Sequence, residues 1–169
     1  MKGFGIYLEP LSEANLELVR QWRNSAAIAQ YMEYQKEISS EAQIVWFRSL
    51  QSAYYFVIYA AKSPCGLIDL KRINLETKTA EAGLFIGDTQ FLGTGIALGA
   101  SILLLDFAFD QLHLETVNAK MHKDNLEAKQ YNQLLGFQYE DKLNDRFELW
   151  ELKRSMYLEN RPRLVKFLK

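Results

Sequence analysis

Residues 90–99, QFLGTGIALG, join two segments of different pattern. A strand-like segment, residues 79–86, leads into this stretch, and a long apolar run typical of a helix follows it. Glycines at such a junction let the backbone turn with its N–H groups pointing outward, and the following helix adds free amides and the positive end of its dipole. The stretch therefore predicts a binding site for a phosphate or pyrophosphate group.

Composition excludes several classes of protein. The 169 residues suit one domain, residues 1–169, and the 49% apolar content is typical of a globular chain. Lysine and arginine total 20 against 21 acidic residues, so a net charge of −1 gives no strong field that would recruit nucleic acid. The most apolar run, residues 96–109, is too short to span a bilayer and contains Asp106.

The few cysteine and histidine side chains exclude further classes of protein. Cys65 is the single cysteine, which excludes an intramolecular disulfide and suits a reducing compartment. The two histidines, His113 and His122, are far from any cluster of acidic residues, so we expect no metal site. The polar N-terminus does not have the pattern of a signal peptide. We therefore expect a cytoplasmic protein with neither a membrane nor a nucleic-acid partner.

Hydrophobic periodicity predicts a mixed sheet with helices on both faces, an α/β fold. Strands are expected at residues 4–8 (stopped by Pro10), 54–60, 65–73, 79–86, 116–122, 137–143 and 147–156. Helices are expected to begin at Ser12, Ala26, Ser40 (in a capping box with Gln43), Thr94 and Asn125, and Gly136 should end the last of them. The helix after residues 90–95 makes strands 79–86 and 116–122 a parallel pair. The basic tail, residues 157–169, has no clear periodicity.

The glycine spacing has other interpretations. Gly93-x-Gly95-x-x-x-Gly99 resembles a dinucleotide-binding fingerprint, but that motif normally lies in the first βαβ unit and has an acidic residue after the second strand. Here the preceding strand belongs to an antiparallel meander, and Glu115 comes before the next strand. The lysine and Ser/Thr of a P-loop are also missing. Glycines that serve helix packing only are a further possibility.

Two motifs together resemble those of a known family. Gln90-x-x-Gly93-x-Gly95 is similar to the pyrophosphate loop of the GNAT superfamily of acetyl-CoA-dependent N-acetyltransferases, and Asn125-x-x-Ala128 followed by Gly136-Phe137 is similar to its later helix. The element order matches over nearly the whole chain. The resemblance implies a GNAT-like fold, a mostly antiparallel sheet whose central parallel pair opens at the cofactor site. It also implies acetyl-CoA as the co-substrate.

The resemblance further implies which residues contact acetyl-CoA. Pantetheine is expected to pair with the backbone of strand 79–86, and the amides of residues 92–95 are expected to hold the pyrophosphate. The full expected set is Phe85, Ile86, Gln90, Phe91, Leu92, Gly93, Thr94, Gly95, Ile96, Asn125 and Asn132.

Direct attack of an amine on the thioester needs a proton acceptor and a donor near the leaving thiolate. Glu81 interrupts an apolar strand and is the expected base, although it is also a candidate ion-pair partner for Lys71 or Arg72. Asp69 could assist or bind the amine, but ordinary surface exposure is the simpler expectation. The family's usual acid is a tyrosine seven residues after the capping Asn125, a position that Asn132 occupies. Tyr131, one residue earlier, is the candidate acid or a packing residue, since one helical step turns a side chain by about 100°.

The acceptor is predicted from the N-terminal segment. Residues 18–24, including Trp22 and Arg23, resemble bacterial acetyltransferases that act on nucleotide-linked amino-deoxy sugars, such as the pseudaminic acid pathway enzyme. They could supply a stacking face and a phosphate contact, with Asp69 and His122 also on the acceptor side. A polyamine site would use Glu33, Glu37 and Glu41. Ribosomal-protein N-terminal acetylation, a non-catalytic acyl-CoA-binding module and a homodimer formed through the last strands remain open.

Overall fold

The computed structural model describes residues 1–168 and contains eight strands and six α-helices in that range. The strands are β1 (Lys2–Gly3), β2 (Ile6–Pro10), β3 (Tyr54–Ala60), β4 (Ser63–Asn74), β5 (Thr79–Ile86), β6 (Thr116–His122), β7 (Gln138–Lys142) and β8 (Phe147–Lys153). The helices are α1 (Leu16–Asn24), α2 (Ala26–Ala29), α3 (Ser40–Arg48), α4 (Ile96–Asp106), α5 (Leu126–Leu135) and α6 (Arg154–Lys166).

All eight strands form one sheet in the order β1-β2-β3-β4-β5-β6-β8-β7. Every neighbouring pair is antiparallel except β5 and β6, which are parallel and are joined through α4. β5 and β6 pair from Thr79 opposite Thr116 to Ala82 opposite Ala119. Beyond Ala82 the two strands diverge, which confirms the predicted opening in the centre of the sheet.

The sheet is covered on both faces, as the sequence predicts. On one face α1 and α3 pack over a small cluster that includes Val19, Val57 and Leu67. On the other face α4 packs in the main core with Leu135 of α5 and Tyr157 of α6. Side chains alternate along each strand, so each strand contributes to both layers.

The predicted glycine-rich junction is present. Gly93 and Gly95 both have positive φ, 72° and 82°, a conformation that glycine adopts without steric cost. Gly95 is the residue before α4, so the helix begins at Ile96 rather than at the predicted Thr94. It then widens into a π-helical turn over Phe107–Gln111. Over the described residues, no helix combines the length and hydropathy needed to cross a membrane.

Three predictions near the N-terminus are wrong in detail. The first strand is Ile6–Pro10, after a short β1, and Pro10 is its last residue rather than its stop signal. Helix α2 is only Ala26–Ala29, shorter than the segment predicted from Ala26. Helix α3 is capped by Ser39, whose hydroxyl accepts from the amide of Ala42 at 3.2 Å, and not by the predicted capping box of Ser40 with Gln43.

The C-terminal prediction is also wrong. The last strand ends at Lys153, and the residues that follow form α6 instead of an irregular tail. Pro162 inside the helix and many charged side chains hide its periodicity in the sequence. The helix is held to α4 by Asp106, which accepts from Tyr157 Oη at 2.7 Å and from Arg161 Nε and Nη2 at 2.6 Å each. This bidentate pair, together with burial of Tyr157, fixes α6 against the core.

We expect Asp106→Ala to lower the free energy of unfolding by about 2 kcal/mol, because the Tyr157 hydroxyl and the partly exposed Arg161 both lose a partner. Chemical denaturation monitored by circular dichroism measures this change. Asp110→Ala is the control, since its 3.9 Å pair with Arg154 is exposed and should contribute less than about 0.5 kcal/mol. Equal effects of the two substitutions would contradict the role assigned to Asp106.

Candidate active site at the opening of the central strands

The loop between β5 and α4 is shaped by short hydrogen bonds. The Asp88 carboxylate accepts from the Gln90 amide at 3.1 Å and from the Gln90 side chain at 2.6 Å. The Thr94 hydroxyl donates to the Phe91 carbonyl at 2.6 Å. Gln90 and Thr94 are therefore bonded within the loop, where they hold its backbone in place.

Consecutive backbone amides in this loop are available for a ligand. Among residues 1–168, no hydrogen bond occupies the amides of Gly93, Thr94 and Gly95. The amide of Leu92 is different, because it donates to the Thr89 carbonyl at 3.1 Å. Three free amides lie directly before the N-terminus of α4, where the helix dipole favours negative charge. This arrangement can hold a pyrophosphate, although with one amide fewer than the sequence predicts.

Asn132 and Tyr131 contact different elements. Asn125 caps α5 by accepting from Ala128 at 3.0 Å, as predicted, so the helix has the predicted start. The Asn132 amide donates to the Ala128 carbonyl at 2.8 Å and lies 3.2 Å from the sulfur of Met121 on β6.

Tyr131 lies instead against α4, where its hydroxyl is 2.7 Å from that of Ser101. Burial raises the pKa of the Tyr131 phenol above its ordinary value, and the bond to Ser101 opposes this only in part. Tyr131 therefore stays protonated and connects α5 to α4.

Glu81 is held between two cations. Its carboxylate is 2.7 Å from Arg72 Nη1 and 3.4 Å from Lys71 Nζ, so both ion-pair partners considered from the sequence are present. Lys71 also reaches Asp69 at 3.0 Å. Burial alone would lower the pKa of Lys71, but Asp69 and Glu81 raise it above its usual value. The ammonium group therefore bridges two carboxylates on the α1–α3 face of the sheet.

Asp69 is buried, which corrects the expectation of ordinary surface exposure. The residue is 8% exposed, and it lies opposite Gly83 in the β4–β5 pairing. A methyl group at Gly83 would be 2.8 Å from Asp69 Oδ1, so the carboxylate occupies the space above the glycine. Burial raises the pKa of Asp69, and Lys71 lowers it in opposition.

Arg23 approaches the same carboxylate from α1. Burial lowers the pKa of Arg23, and the nearby Asp69 and Tyr55 oppose that change. Its Nε atom is buried and has no hydrogen-bond partner within residues 1–168. A buried guanidinium nitrogen without a partner is costly, so this position suits an anionic or polar ligand group.

Trp22 lies away from these charges, beside the start of the glycine loop. A methyl group at Gly87 would be 2.1 Å from Cδ2 of Trp22, so only glycine leaves room for the indole ring. The ring also meets Phe85 edge-on at 6.4 Å between centroids. Trp22 and Gln90 line the same cavity of about 500 Å³. Trp22 and Arg23 are therefore adjacent in sequence but line different parts of the site.

Further cations lie on β6 and in the turn before β8. Lys120 forms an ion pair with Glu33, and Lys120 also lies 5.2 Å from the centre of the Phe147 ring. Arg146 lies 5.2 Å from the same ring and donates to the Met32 carbonyl at 3.2 Å. The segment after α2 is thus attached to the far side of the opening by two basic residues.

His122 belongs to an aromatic group rather than to a catalytic pair. Its ring is 5.3 Å from Phe147 and 5.9 Å from Tyr31, and its Nδ1 accepts from the Asp124 amide at 3.2 Å. It lies on the same face of β6 as Lys120. Across residues 1–168, no group of three or more potential metal ligands occurs.

Some residues of this face are not predicted from the sequence, among them Lys120, and Lys71 is predicted only as an ion-pair partner of Glu81. Lys120 precedes His122 by two residues on β6, and Lys71 follows Asp69 by two on β4. Side chains two apart on a strand share a face, so this alternation was the available signal. Tyr55 lies opposite Asp69 on β3, and only the strand register reveals this contact.

A second cavity, of about 610 Å³, lies outside this region. Its lining is mostly apolar and includes Leu11, Phe47, Tyr54 and Phe107 near the π-helical turn. None of the residues predicted for the site lines it. We therefore place the chemistry at the opening between β5 and β6, where free amides, buried charges and the diverging strands meet.

Comparison with known proteins identifies the family. A model of the acetyltransferase (GNAT) domain matches residues 6–138. The chain belongs to the GNAT family of acetyltransferases. This GNAT protein is similar to acetyltransferase PseH of Campylobacter jejuni, with 30% identity over 148 residues that cover 86% of this chain and 90% of the relative.

Two solved structures share the GNAT fold. The spermidine N-acetyltransferase of Vibrio cholerae, solved with CoA and spermine, has a TM-score of 0.83 and 22% identity, and the match covers 92% of this chain and 99% of that one. FdhC, described as a nucleotide-linked sugar GNAT, has a TM-score of 0.84 and 21% identity, and the match covers 100% of this chain and 98% of that one. The protein is therefore an acetyl-CoA-dependent N-acetyltransferase.

We expect Gly93→Trp to weaken acetyl-CoA binding by about 100-fold or more, because the indole would block the free amides of the loop. Isothermal titration calorimetry with CoA measures the affinity. Gly5→Trp is the matched control: Gly5 has φ 74°, and at both glycines an added side chain would start in open space. If both variants bind CoA equally well, the loop is not the pyrophosphate site.

Proposed function

We propose that this protein transfers the acetyl group of acetyl-CoA to the amine of a nucleotide-linked amino-deoxy sugar, by direct attack and in the cytoplasm. The observation that carries this proposal is the excess of positive charge on the acceptor face. Five cations lie there, Arg23, Lys71, Arg72, Lys120 and Arg146, against three anions, Glu33, Asp69 and Glu81. A nucleotide diphosphate carries the negative charge that such a face attracts.

Arg23 is the cation best suited to contact the acceptor. Lys71, Arg72 and Lys120 are each paired with a carboxylate, whereas the buried Nε of Arg23 has no partner in residues 1–168. A phosphate or sugar oxygen of the acceptor would supply that partner. Trp22 would contribute less to the acceptor than the sequence predicts, because its ring lies on Gly87 beside the loop.

Acetyl-CoA would bind along the opening between β5 and β6. Acetyl-CoA supplies an acetyl group activated as a thioester. The free amides of residues 93–95 would hold its pyrophosphate, and Phe85 and Ile86 lie on the part of β5 that has no strand partner on the β6 side. Asn132, on the β6 side of α5, would contact the pantetheine end.

Tyr131 has a different role in this proposal. Its hydroxyl is bonded to Ser101, so we assign it to holding α5 against α4 rather than to proton donation. The thiolate would then take its proton through water.

A polyamine acceptor is the second candidate. The structural neighbours do not distinguish the two, because the spermidine enzyme and the sugar-nucleotide enzyme match this fold equally well, at TM-scores of 0.83 and 0.84. A polyamine is a polycation and needs uncompensated carboxylates. Glu33 is paired with Lys120, and Glu37 and Glu41 lie near Arg20, whose pKa they help to raise. The excess of cations over anions on the acceptor face favours the anionic acceptor.

We expect acetyl-CoA consumption to be faster with a nucleoside-diphosphate-linked amino-deoxy sugar than with spermidine, by about 10-fold or more in kcat/KM. A thiol-release assay of both acceptors at the same ionic strength measures this. Since the attraction is electrostatic, raising the salt concentration should increase KM for the sugar nucleotide. A preference for spermidine would contradict the proposed acceptor.

We expect Arg23→Gln to raise KM for the sugar nucleotide by about 10-fold or more, since a charged hydrogen bond contributes about 1.5–3 kcal/mol. The affinity for CoA should not change. Arg20→Gln is the matched control on the same helix, because Arg20 is already bonded to Glu17 and the Ile38 carbonyl. An unchanged KM in Arg23→Gln would remove Arg23 from the acceptor site.

A further inference from the structure

The carboxylate of Asp69 lies at the point where β5 and β6 separate. The last paired position of β5 is Ala82, and the next residue, Gly83, lies directly below Asp69. We propose that Asp69, and not Glu81, accepts the proton that the acceptor ammonium must lose before it attacks the thioester. This inference rests on acetyl transfer to an amine and not on which amine is acetylated.

Asp69 and Glu81 differ in their position relative to the opening between β5 and β6. Glu81 lies where β5 and β6 still pair, opposite Asn118, whereas Asp69 lies over the first residue of the opening. An amine that reaches a thioester between the diverging strands from the α1–α3 face passes Gly83. The absence of a side chain on Gly83 leaves room for the carboxylate, since a methyl group there would be 2.8 Å from Oδ1 and 3.0 Å from Oδ2.

The carboxylates of Asp69 and Glu81 also differ in their hydrogen bonds. Glu81 uses one oxygen for Arg72 and the other for Lys71. Asp69 bonds to Lys71 through Oδ2 alone, and its Oδ1 has no partner in residues 1–168. Asp69 thus keeps a free oxygen for a proton, whereas Glu81 fixes the position of Lys71. Glu81 is a positioning residue in this arrangement.

The charges around Asp69 suit a base that works near neutral pH. Burial raises its pKa, Lys71 and Arg23 lower it, and Glu81 raises it again. Tyr55 faces it from β3 with a pKa raised by burial to about 12, so this phenol stays neutral. Glu33 and Lys120 form their own pair farther along the face. A carboxylate whose pKa is shifted toward the working pH is a more effective base.

The proton balance is simple. Asp69 takes one proton from R–NH₃⁺ to give R–NH₂, whose nitrogen forms the bond to the acetyl carbon as the C–S bond breaks and its electron pair goes to sulfur. The second proton lost by the nitrogen goes to the sulfur, so the products are the amide and CoA thiol. Asp69 then releases its proton to solvent.

Asp69→Asn tests the inference, because it keeps the shape above Gly83 and removes the base. We expect kcat/KM to fall by about 100-fold or more near neutral pH, with unchanged CoA affinity and a folded protein. The rate of the variant should recover tenfold per pH unit toward the pKa of the acceptor amine, since only the free amine reacts. The assay uses whichever of the sugar nucleotide and spermidine the wild type acetylates.

Glu81→Gln is the matched control. It should lower kcat/KM by less than about 10-fold and retain the acidic limb of the wild-type pH profile. If Glu81→Gln removes that limb and Asp69→Asn keeps it, Glu81 is the base and the inference is wrong. Failure of the sugar nucleotide as acceptor would contradict only the proposed function.

A measurement on the protein without any acceptor gives a second test. Carbon-detected NMR of the side-chain carboxyl groups, with Asp69→Asn for assignment, should give Asp69 a pKa above the ordinary value of an aspartate. Gly83→Ala should shift that titration, because the added methyl group displaces the carboxylate. An Asp69 pKa at or below the ordinary value would overturn the inference even if no acceptor were turned over.

Discussion

The structure depends on one incomplete strand pairing. β5 and β6 are the parallel pair of the sheet, and they bond only from Thr79 opposite Thr116 to Ala82 opposite Ala119. The backbone of β5 beyond Ala82 must find hydrogen-bond partners elsewhere, because unpaired backbone groups inside a sheet are costly. An extended ligand chain can supply them, as in the addition of a strand to a sheet edge. The same divergence leaves Gly83 without a pairing partner on β6 and brings the free amides of the loop to one end of the gap.

The charged residues above the opening form a connected set, not separate surface pairs. Lys71 forms ion pairs with both Asp69 and Glu81, and Arg72 forms a second ion pair with Glu81. The pKa of Glu33 is lowered by Lys120, and to a smaller extent by Arg72 and Lys71. Such sharing makes burial of Asp69 tolerable, because a buried carboxylate without a cation would be costly. It also orients each cation. Lys71, Asp69 and Glu81 are therefore held in place by β4 and β5, the strands that carry them.

Sequence reasoning recovers the elements on which the site stands and misses contacts made across strands. The bounds predicted for β3, β5 and β6 match the structure, since β3 is rich in aromatic and β-branched residues, polar turns bound β5, and β6 alternates apolar with polar residues. The Asn125 cap and Gly136 end of α5 are also correct. Helix α6 is missed, because its anchor is Asp106, a residue far away in sequence. Burial of Asp69 is missed because it depends on register: a glycine faces it, and no local pattern shows that.

Similarity of fold does not identify the acceptor, which has to be inferred from the charges of the side chains around the opening. Enzymes for a polycation and for a polyanion share this fold, so the backbone does not encode the sign of the substrate. In the proposed function the sign is set by side chains of α1, β4 and β6 that do not contribute to the main core. In the proposed function Arg23 carries the most weight, because a buried nitrogen without a partner in residues 1–168 is unfavourable unless a ligand or water satisfies it. A polyamine would bring another cation to that position and leave the nitrogen unsatisfied, whereas a phosphate or sugar oxygen would complete its hydrogen bonding.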